Sequence, residues 1–190
     1  VDGKDVFLKS CYSFAHLKHP FEDNIQLISL LSSPLSAKEM KGEFVRYQVI
    51  DGDTLKRNGL RFRLQGIDAP EIEQSCTLGG KGSYISFWSC GQASKDYLKK
   101  LHGKDGFLCI KVGQDRYQRD LVKCFVKTNT GLEDVGTIMV REGYALSYRR
   151  YSKEYIDEEK VAKENKRGIW KSKFIKPWEW RREKNKKKRN

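Results

Sequence analysis

The sequence predicts an α+β protein, mainly β, in which a closed five-stranded β-barrel carries three helices and an N-terminal extension. Three observations point there. From residue 43, "GEFVRYQVIDGDTLKRNGLRFRLQGID" alternates Phe44, Arg46 and Gln48 with Val45, Tyr47 and Val49 and is interrupted by two turns. Further on, apolar runs flank the polar turn "GQDRYQRD". Between and after these strand-like runs lie three stretches with helical spacing.

The strands follow from turn chemistry. "DGD" (51–53) and "RNG" (57–59) reverse the chain, and Asn-Gly is a strong hairpin signal because both residues tolerate positive φ. Three successive antiparallel strands result, and a hairpin of 107–112 with 120–126 adds two more. Five short strands arranged as a meander plus a hairpin suit a small barrel.

Among the helices, "CGQASKDYLKKLH" (90–102) places Ala93, Tyr97, Leu98 and Leu101 on one face. "LEDVGTIMVREG" (132–143) has acids in its first turn, Val135, Ile138 and Met139 inward, and Gly143 as its stop. "SKEYIDEEKVAKENKRGIW" (152–170) runs from an acidic start to a basic end, with Gly168 as its C-cap. The expected organisation is an extension over 1–42, a domain over 43–180, and a basic, disordered tail over 181–190. In the extension, His16 and His19 stand three apart without a further ligand, which fits surface or core residues better than a metal pair.

Charge narrows the partners. Lys and Arg exceed Asp and Glu by 13. The tail "RREKNKKKRN" contributes +6 and residues 1–44 contribute −1, so the body over 45–180 carries +8. A polyanion is the implied partner, with nucleic acid ahead of an anionic membrane. An amphipathic basic helix with large apolar residues opposite, as a membrane-surface binder needs, is missing. A spanning helix needs about 18 or more apolar residues; the best apolar stretch, "IQLISLLSSPL" (25–35), is short and broken by Ser and Pro. No obligate protein partner is evident.

Five cysteines stand at 11, 76, 90, 109 and 124, without a C-x-x-C. Cys109 and Cys124 are equidistant from the centre of the "GQDRYQRD" turn, so a hairpin folded there sets them opposite or nearly opposite each other. Cys76 and Cys90 bracket the Gly/Ser-rich "TLGGKGSYISFWS". Two bridges, 76–90 and 109–124, would each close a loop of roughly 15 residues, worth about 3 kcal/mol on the chain-entropy account. Reduced, buried thiols in the cytosol are the alternative. Bridges imply a secreted or periplasmic protein, and the start at Val1 fits a chain whose leader is absent.

The chemistry concentrates in "VIDGDTLKR", "FRLQGIDAPE" and "DRYQRDL". Asp53 and Asp68 each follow an apolar run in turn sequence, so two hard oxygen donors can converge at one barrel rim and suit Ca²⁺ or a similar ion. Arg63 and Arg119 offer planar donors for phosphate oxygens. Glu71, three residues beyond Asp68 with Pro70 stiffening the turn, is placed to orient or deprotonate a water.

These motifs, in this order and spacing, resemble the staphylococcal nuclease family, in its exported bacterial branch with paired cysteines. The likeness runs from about residue 43 to 180, including "GIW" and "PWEWRR". It implies an OB-type five-stranded barrel with three helices and Ca²⁺-dependent hydrolysis of DNA and RNA to 3′-phosphates and 5′-hydroxyls. It implies Asp53, Asp68 and the carbonyl of Ala69 as metal ligands and Glu71 as general base. Arg63 and Arg119 then bind the phosphate, and Arg116 and Tyr117 contact the terminal phosphate and sugar. Ala69 stands where the founding member has Thr, which matters little for a carbonyl ligand. The 76–90 loop is longer than in that member, and Tyr148 or Tyr151 is the candidate for a further substrate tyrosine. Trp178 and Trp180 of "PWEW" are expected to pack the C-terminal segment back on the body.

The rival class is a non-catalytic OB-type module for single-stranded nucleic acid. Such a module has no need of Asp53, Asp68 and Glu71, because carboxylates in a phosphate-binding groove weaken binding unless a cation joins them.

Overall fold

A computed structural model describes residues 42–79 and 84–189. The extension before residue 42, with Cys11, His16 and His19, lies outside the described residues.

The meander forms as the turn residues require. β1 (Gln48–Val49) pairs antiparallel with β2 (Thr54–Arg57), and β2 with β3 (Leu60–Leu64). Asn58 and Gly59 hold φ of 50° and 79° at the second turn, the positive pair that an Asn-Gly hairpin demands. β7 (Leu108–Gln114) and β8 (Asp120–Thr128) form the expected hairpin with Cys109 opposite Cys124. β3 joins β8 in parallel, so the sheet runs β1-β2-β3-β8-β7. A bridge between Val45 and Phe107 brings the two ends of that order together and curls the sheet into a barrel.

A sixth strand joins this sheet. β9 (Gly131–Asp134) pairs with the far half of β8, Phe125 facing Asp134 and Val126 facing Glu133. The acids expected in the first turn of a helix over 132–143 therefore belong to a strand. α2 (Val135–Arg141) starts only after Asp134, whose side chain caps it by accepting the Gly136 N–H. Val135 and Met139 are fully buried and Ile138 nearly so, while Gly143 ends the element at φ 74° as expected.

α1 (Cys90–His102) spans the expected residues. α3 (Ile156–Glu164) is shorter than the expected 152–170. Tyr155, just before it, is buried and donates its hydroxyl to Asp134 at 2.8 Å. Gly168 does not cap this helix: it opens a 3₁₀ turn, Gly168–Lys171, where the Ile169 N–H donates to the Gly143 carbonyl at 2.9 Å. A Cβ on Gly168 would lie 2.2 Å from that carbonyl oxygen, so close backbone approach explains the glycine.

A fourth helix, α4 (Pro177–Lys187), takes up most of the segment expected to be a disordered tail. Pro177 occupies its first turn with Glu179, and lysines fill its last, an arrangement that matches the helix dipole. Trp178 stacks on Tyr148 with ring centroids 5.2 Å apart, packing the segment onto the body as expected, whereas Trp180 lies under Lys184 of its own helix. Two small ribbons complete the fold: β4 (Ile67–Asp68) with β10 (Leu146–Ser147), and β5 (Cys76–Leu78) with β6 (Ser86–Trp88).

The main core gathers Leu55, Leu64, Ile67, Leu98, Phe107 and Val122 from barrel and helices. A second cluster around Cys76, Cys90, Leu146 and Ile169 receives Trp88, Trp170 and Trp178. Both expected disulfides are present, Cys76–Cys90 and Cys109–Cys124. Among the described residues no helix is long and apolar enough to cross a membrane.

The bridges constrain the unfolded chain and leave the hydrogen-bonded frame in place. Replacing Cys76 and Cys90 together by Ala should lower unfolding free energy by about 3 kcal/mol, read by guanidinium titration with the wild type as reference. Dithiothreitol should then destabilise this variant less than the wild type, because only the second bridge is left to reduce.

Candidate active site

The first acidic turn leaves β1 at Ile50 and is pressed tightly against its surroundings. A Cβ on Gly52 would sit 2.0 Å from the Ser94 hydroxyl oxygen and 2.6 Å from the Ala69 Cβ, so only glycine lets the turn approach α1 and the end of β4. Asp51 accepts the Asp53 N–H at 3.0 Å. Asp53 is buried and its oxygens divide their partners. Oδ1 accepts from the Thr54 hydroxyl at 3.0 Å and from Arg63 Nη1 at 2.7 Å, while Oδ2 accepts the Ala69 N–H at 3.0 Å.

Asp68 lies in β4 rather than in a turn, paired with Leu146, and is 0% exposed. Its Oδ1 accepts from Arg63 Nη2 at 2.6 Å. Its Oδ2 accepts from Arg181 Nη2 at 2.7 Å, and the same guanidinium donates Nη1 to Glu71 Oε1 at 2.6 Å. An unbroken ionic chain results, running Asp53, Arg63, Asp68, Arg181, Glu71. The β3 register places Arg63 opposite Thr54 and so beside Asp53, whereas Arg181 arrives from α4.

Glu71 is fixed through its backbone. Its N–H donates to the Gln74 side-chain oxygen at 3.3 Å, its carbonyl accepts the Gln74 N–H at 2.8 Å, and Gln74 in turn donates to the Ile175 carbonyl at 2.5 Å. At the start of α1, a Cβ on Gly91 would fall 1.6 Å from the Glu71 carbonyl oxygen, so the helix and the Glu71 turn meet backbone to backbone.

Burial and like charge shape the protonation of the acids. Burial and the neighbouring Asp53 push the Asp51 carboxyl up to about 6. Burial and then Asp53 also raise Asp68, against the opposing pull of Arg181 and Arg63. Burial works against charge on both arginines, but Asp53 and Asp68 hold Arg63 above its ordinary value, as Asp68 and Glu71 do for Arg181.

Asp51, Arg63, Glu71 and Arg181 line a cleft of about 1630 Å³, with Asp53 and Asp68 buried behind them. The turn between β7 and β8 lines it with Arg116, Tyr117 and Arg119. Arg119 is held by Asp115, with Nε and Nη2 donating to Oδ2 at 2.8 and 2.7 Å, and does not touch the acid cluster. Arg116 donates to the Tyr117 hydroxyl at 2.7 Å and lies over its ring. Tyr148 and Tyr151 both line the cleft; Tyr151 is 61% exposed, whereas Trp178 covers a face of Tyr148.

The fold thus joins Asp53, Arg63 and Asp68 directly and Glu71 through Arg181, and sets Arg116, Tyr117 and Arg119 on the cleft that Arg63 and Glu71 line. Ala69 meets the cluster through its N–H. Asp51 and Arg181 are the participants that sequence reasoning passed over. Asp51 was visible as the first acid of "DGD", and the helix signals of "KPWEWRREK" were obscured by the charge run that follows.

The donor chemistry fits a hard divalent cation. Four carboxylates, Asp51, Asp53, Asp68 and Glu71, face two guanidiniums, leaving negative charge uncompensated when all are ionised. Among the described residues, no three acidic, histidine or cysteine side chains stand together as a ready ligand set. Arg63 and Arg181 hold the acids in pairs instead.

Residues 61–172 match the family described as staphylococcal nuclease homologue. The chain is 30% identical over 170 residues to a micrococcal nuclease of Shigella flexneri, covering 82% of this chain and 88% of that protein. It is 29% identical over 165 residues to an uncharacterized endonuclease of Escherichia coli, covering 83% and 95%. A third relative, an uncharacterized endonuclease of Haemophilus influenzae, is 32% identical over 145 residues, covering 72% and 71%.

The contact of Gly91 with Glu71 is testable through stability. Gly91→Ala should cost about 1–3 kcal/mol by denaturant unfolding, since backbone atoms must shift to admit the methyl group. Gly113→Ala, whose added Cβ meets nothing nearer than 3.8 Å, should stay within about 0.5 kcal/mol of the wild type.

Proposed function

The chain belongs to the staphylococcal nuclease homologue family and is a phosphodiester hydrolase; from that premise we propose that it is an exported, Ca²⁺-dependent nuclease that cleaves DNA and RNA. The observation that supports this reading best is the linking of Asp53, Asp68 and Glu71 through two arginines, beside a cleft that Arg63, Arg116, Arg119 and Arg181 line together with Glu71. A groove built only to bind nucleic acid gains nothing from three carboxylates that repel phosphate.

Asp53 and Asp68, with the Ala69 carbonyl, would hold the cation, which would supply polarisation of the scissile phosphate and offset its developing charge. Glu71 orients a water and accepts its proton as the oxygen attacks phosphorus, work worth about 10²–10⁴-fold in rate. Arg63 and Arg119 donate to the non-bridging oxygens, which gain charge at the transition state. The bond from phosphorus to the 5′ oxygen breaks, that oxygen takes a proton to become a hydroxyl, and the phosphate remains on the 3′ side. Arg116 and Tyr117 position the terminal phosphate and sugar, and Tyr148 or Tyr151 extends the contact. The two disulfides support a location outside the cytoplasm.

Cleavage of single-stranded DNA should require added Ca²⁺, stop with EGTA, and leave 3′-phosphates on end analysis. Binding without cleavage at any Ca²⁺ concentration would favour the binding module instead. Glu71→Gln should lower turnover by about 10²–10⁴-fold while DNA affinity in a gel-shift titration holds. Equal turnover in that variant would remove Glu71 from the role of base.

A further inference from the structure

We propose that Arg181 is a built-in counter-cation that competes with the divalent metal for Asp68 and Glu71, so that metal binding requires its guanidinium to leave. The inference rests on the metal reading above and adds a residue outside the family match over 61–172.

The geometry is specific. Arg181 reaches across more than a hundred residues of chain to place one nitrogen 2.7 Å from Asp68 Oδ2 and another 2.6 Å from Glu71 Oε1. Asp68 is 0% exposed, and its other oxygen is already taken by Arg63 at 2.6 Å. Each carboxylate oxygen of Asp68 therefore already carries a guanidinium N–H, so a cation reaching that buried group meets a fixed positive charge at either oxygen. A divalent ion and a guanidinium on the same oxygens also repel each other strongly in a partly buried site. Charge-assisted hydrogen bonds, here one to each of two carboxylates, are the strong class of hydrogen bond, so the competition has measurable weight.

The arm that delivers Arg181 is anchored independently of that pair. Trp178 stacks on Tyr148, Gln74 donates to the Ile175 carbonyl at 2.5 Å, and Lys184 pairs with Glu73. Loss of the Arg181 contact therefore leaves α4 seated. With no metal bound, Arg181 compensates the buried Asp68 charge and occupies the carboxylate proposed as base. Metal and Arg181 are linked reciprocally, each weakening the hold of the other.

Calcium titration by isothermal calorimetry on the full chain, stripped with EDTA, tests this without reference to activity. Arg181→Gln should bind Ca²⁺ at least about tenfold more tightly than the wild type, with Arg181→Lys in between because it keeps the charge but loses the fork. Equal or weaker affinity in Arg181→Gln, with an unchanged circular dichroism spectrum, overturns the proposal while leaving the metal reading standing. Absence of Ca²⁺ binding in both proteins overturns both. A second measurement needs no variant that must fold: the guanidinium NMR signals of Arg181 in the wild type should lose their restrained rotation when Ca²⁺ saturates. Persistence of the restrained signals at saturation overturns the competition.

Discussion

Asp68 is a carboxylate with no exposure to solvent, and the site is organised around keeping that charge compensated. An unpaired buried charge costs several kcal/mol, and removing one partner of a buried pair is strongly destabilising. Two guanidiniums meet the need from different directions, Arg63 from β3 and Arg181 from α4. Because Asp68 itself lies on the β4–β10 ribbon, one ionic chain ties barrel, ribbon and C-terminal helix together. Burial of the acid and its bonding to both arginines are a single constraint, and it positions Asp53 and Glu71 at the two ends of the chain.

Close backbone contacts hold the rest of the scaffold to that centre. Gly52 lets the Asp51–Asp53 turn lie against Ser94 and Ala69, and Gly91 lets α1 lie against Glu71. Side chains at either point would separate the acids from the elements that aim them. On the opposite side of the cleft, the β7–β8 hairpin is clamped by Cys109–Cys124, and Asp115 orients Arg119 within its turn. Arg116 and Arg119 are thus mounted on a different piece of backbone from the acids and line the same cleft, whereas Arg63 bonds Asp53 and Asp68 directly.

Local signals account for much that was legible beforehand. Asn58-Gly59 set a hairpin because its φ values are positive, and Cys109 faces Cys124 because the turn between them is central. The residues grouped as a site come together for a local reason as well: β2 and β3 are joined by a two-residue turn, which fixes Arg63 beside Asp53. Errors arose where a tertiary partner overrode the local pattern. Glu133 and Asp134 have the look of a helical first turn, but β8 has an open edge and draws them into a strand. Gly168 sits where a helix cap belongs, yet its lack of a side chain serves the contact with Gly143.

The sequence by itself determined the meander, the hairpin, the cysteine pairs and the grouping of Asp53, Arg63, Asp68 and Glu71, since each is written in short-range spacing and turn chemistry. Tertiary structure alone decided that Arg181 joins them. Arg119 turns to Asp115, four residues away, while Arg181 crosses to Asp68 and Glu71 from a helix more than a hundred residues downstream. No periodicity encodes that second pairing: it depends on α4 being seated by Trp178 on Tyr148, a contact that exists only once the barrel and the β4–β10 ribbon have folded.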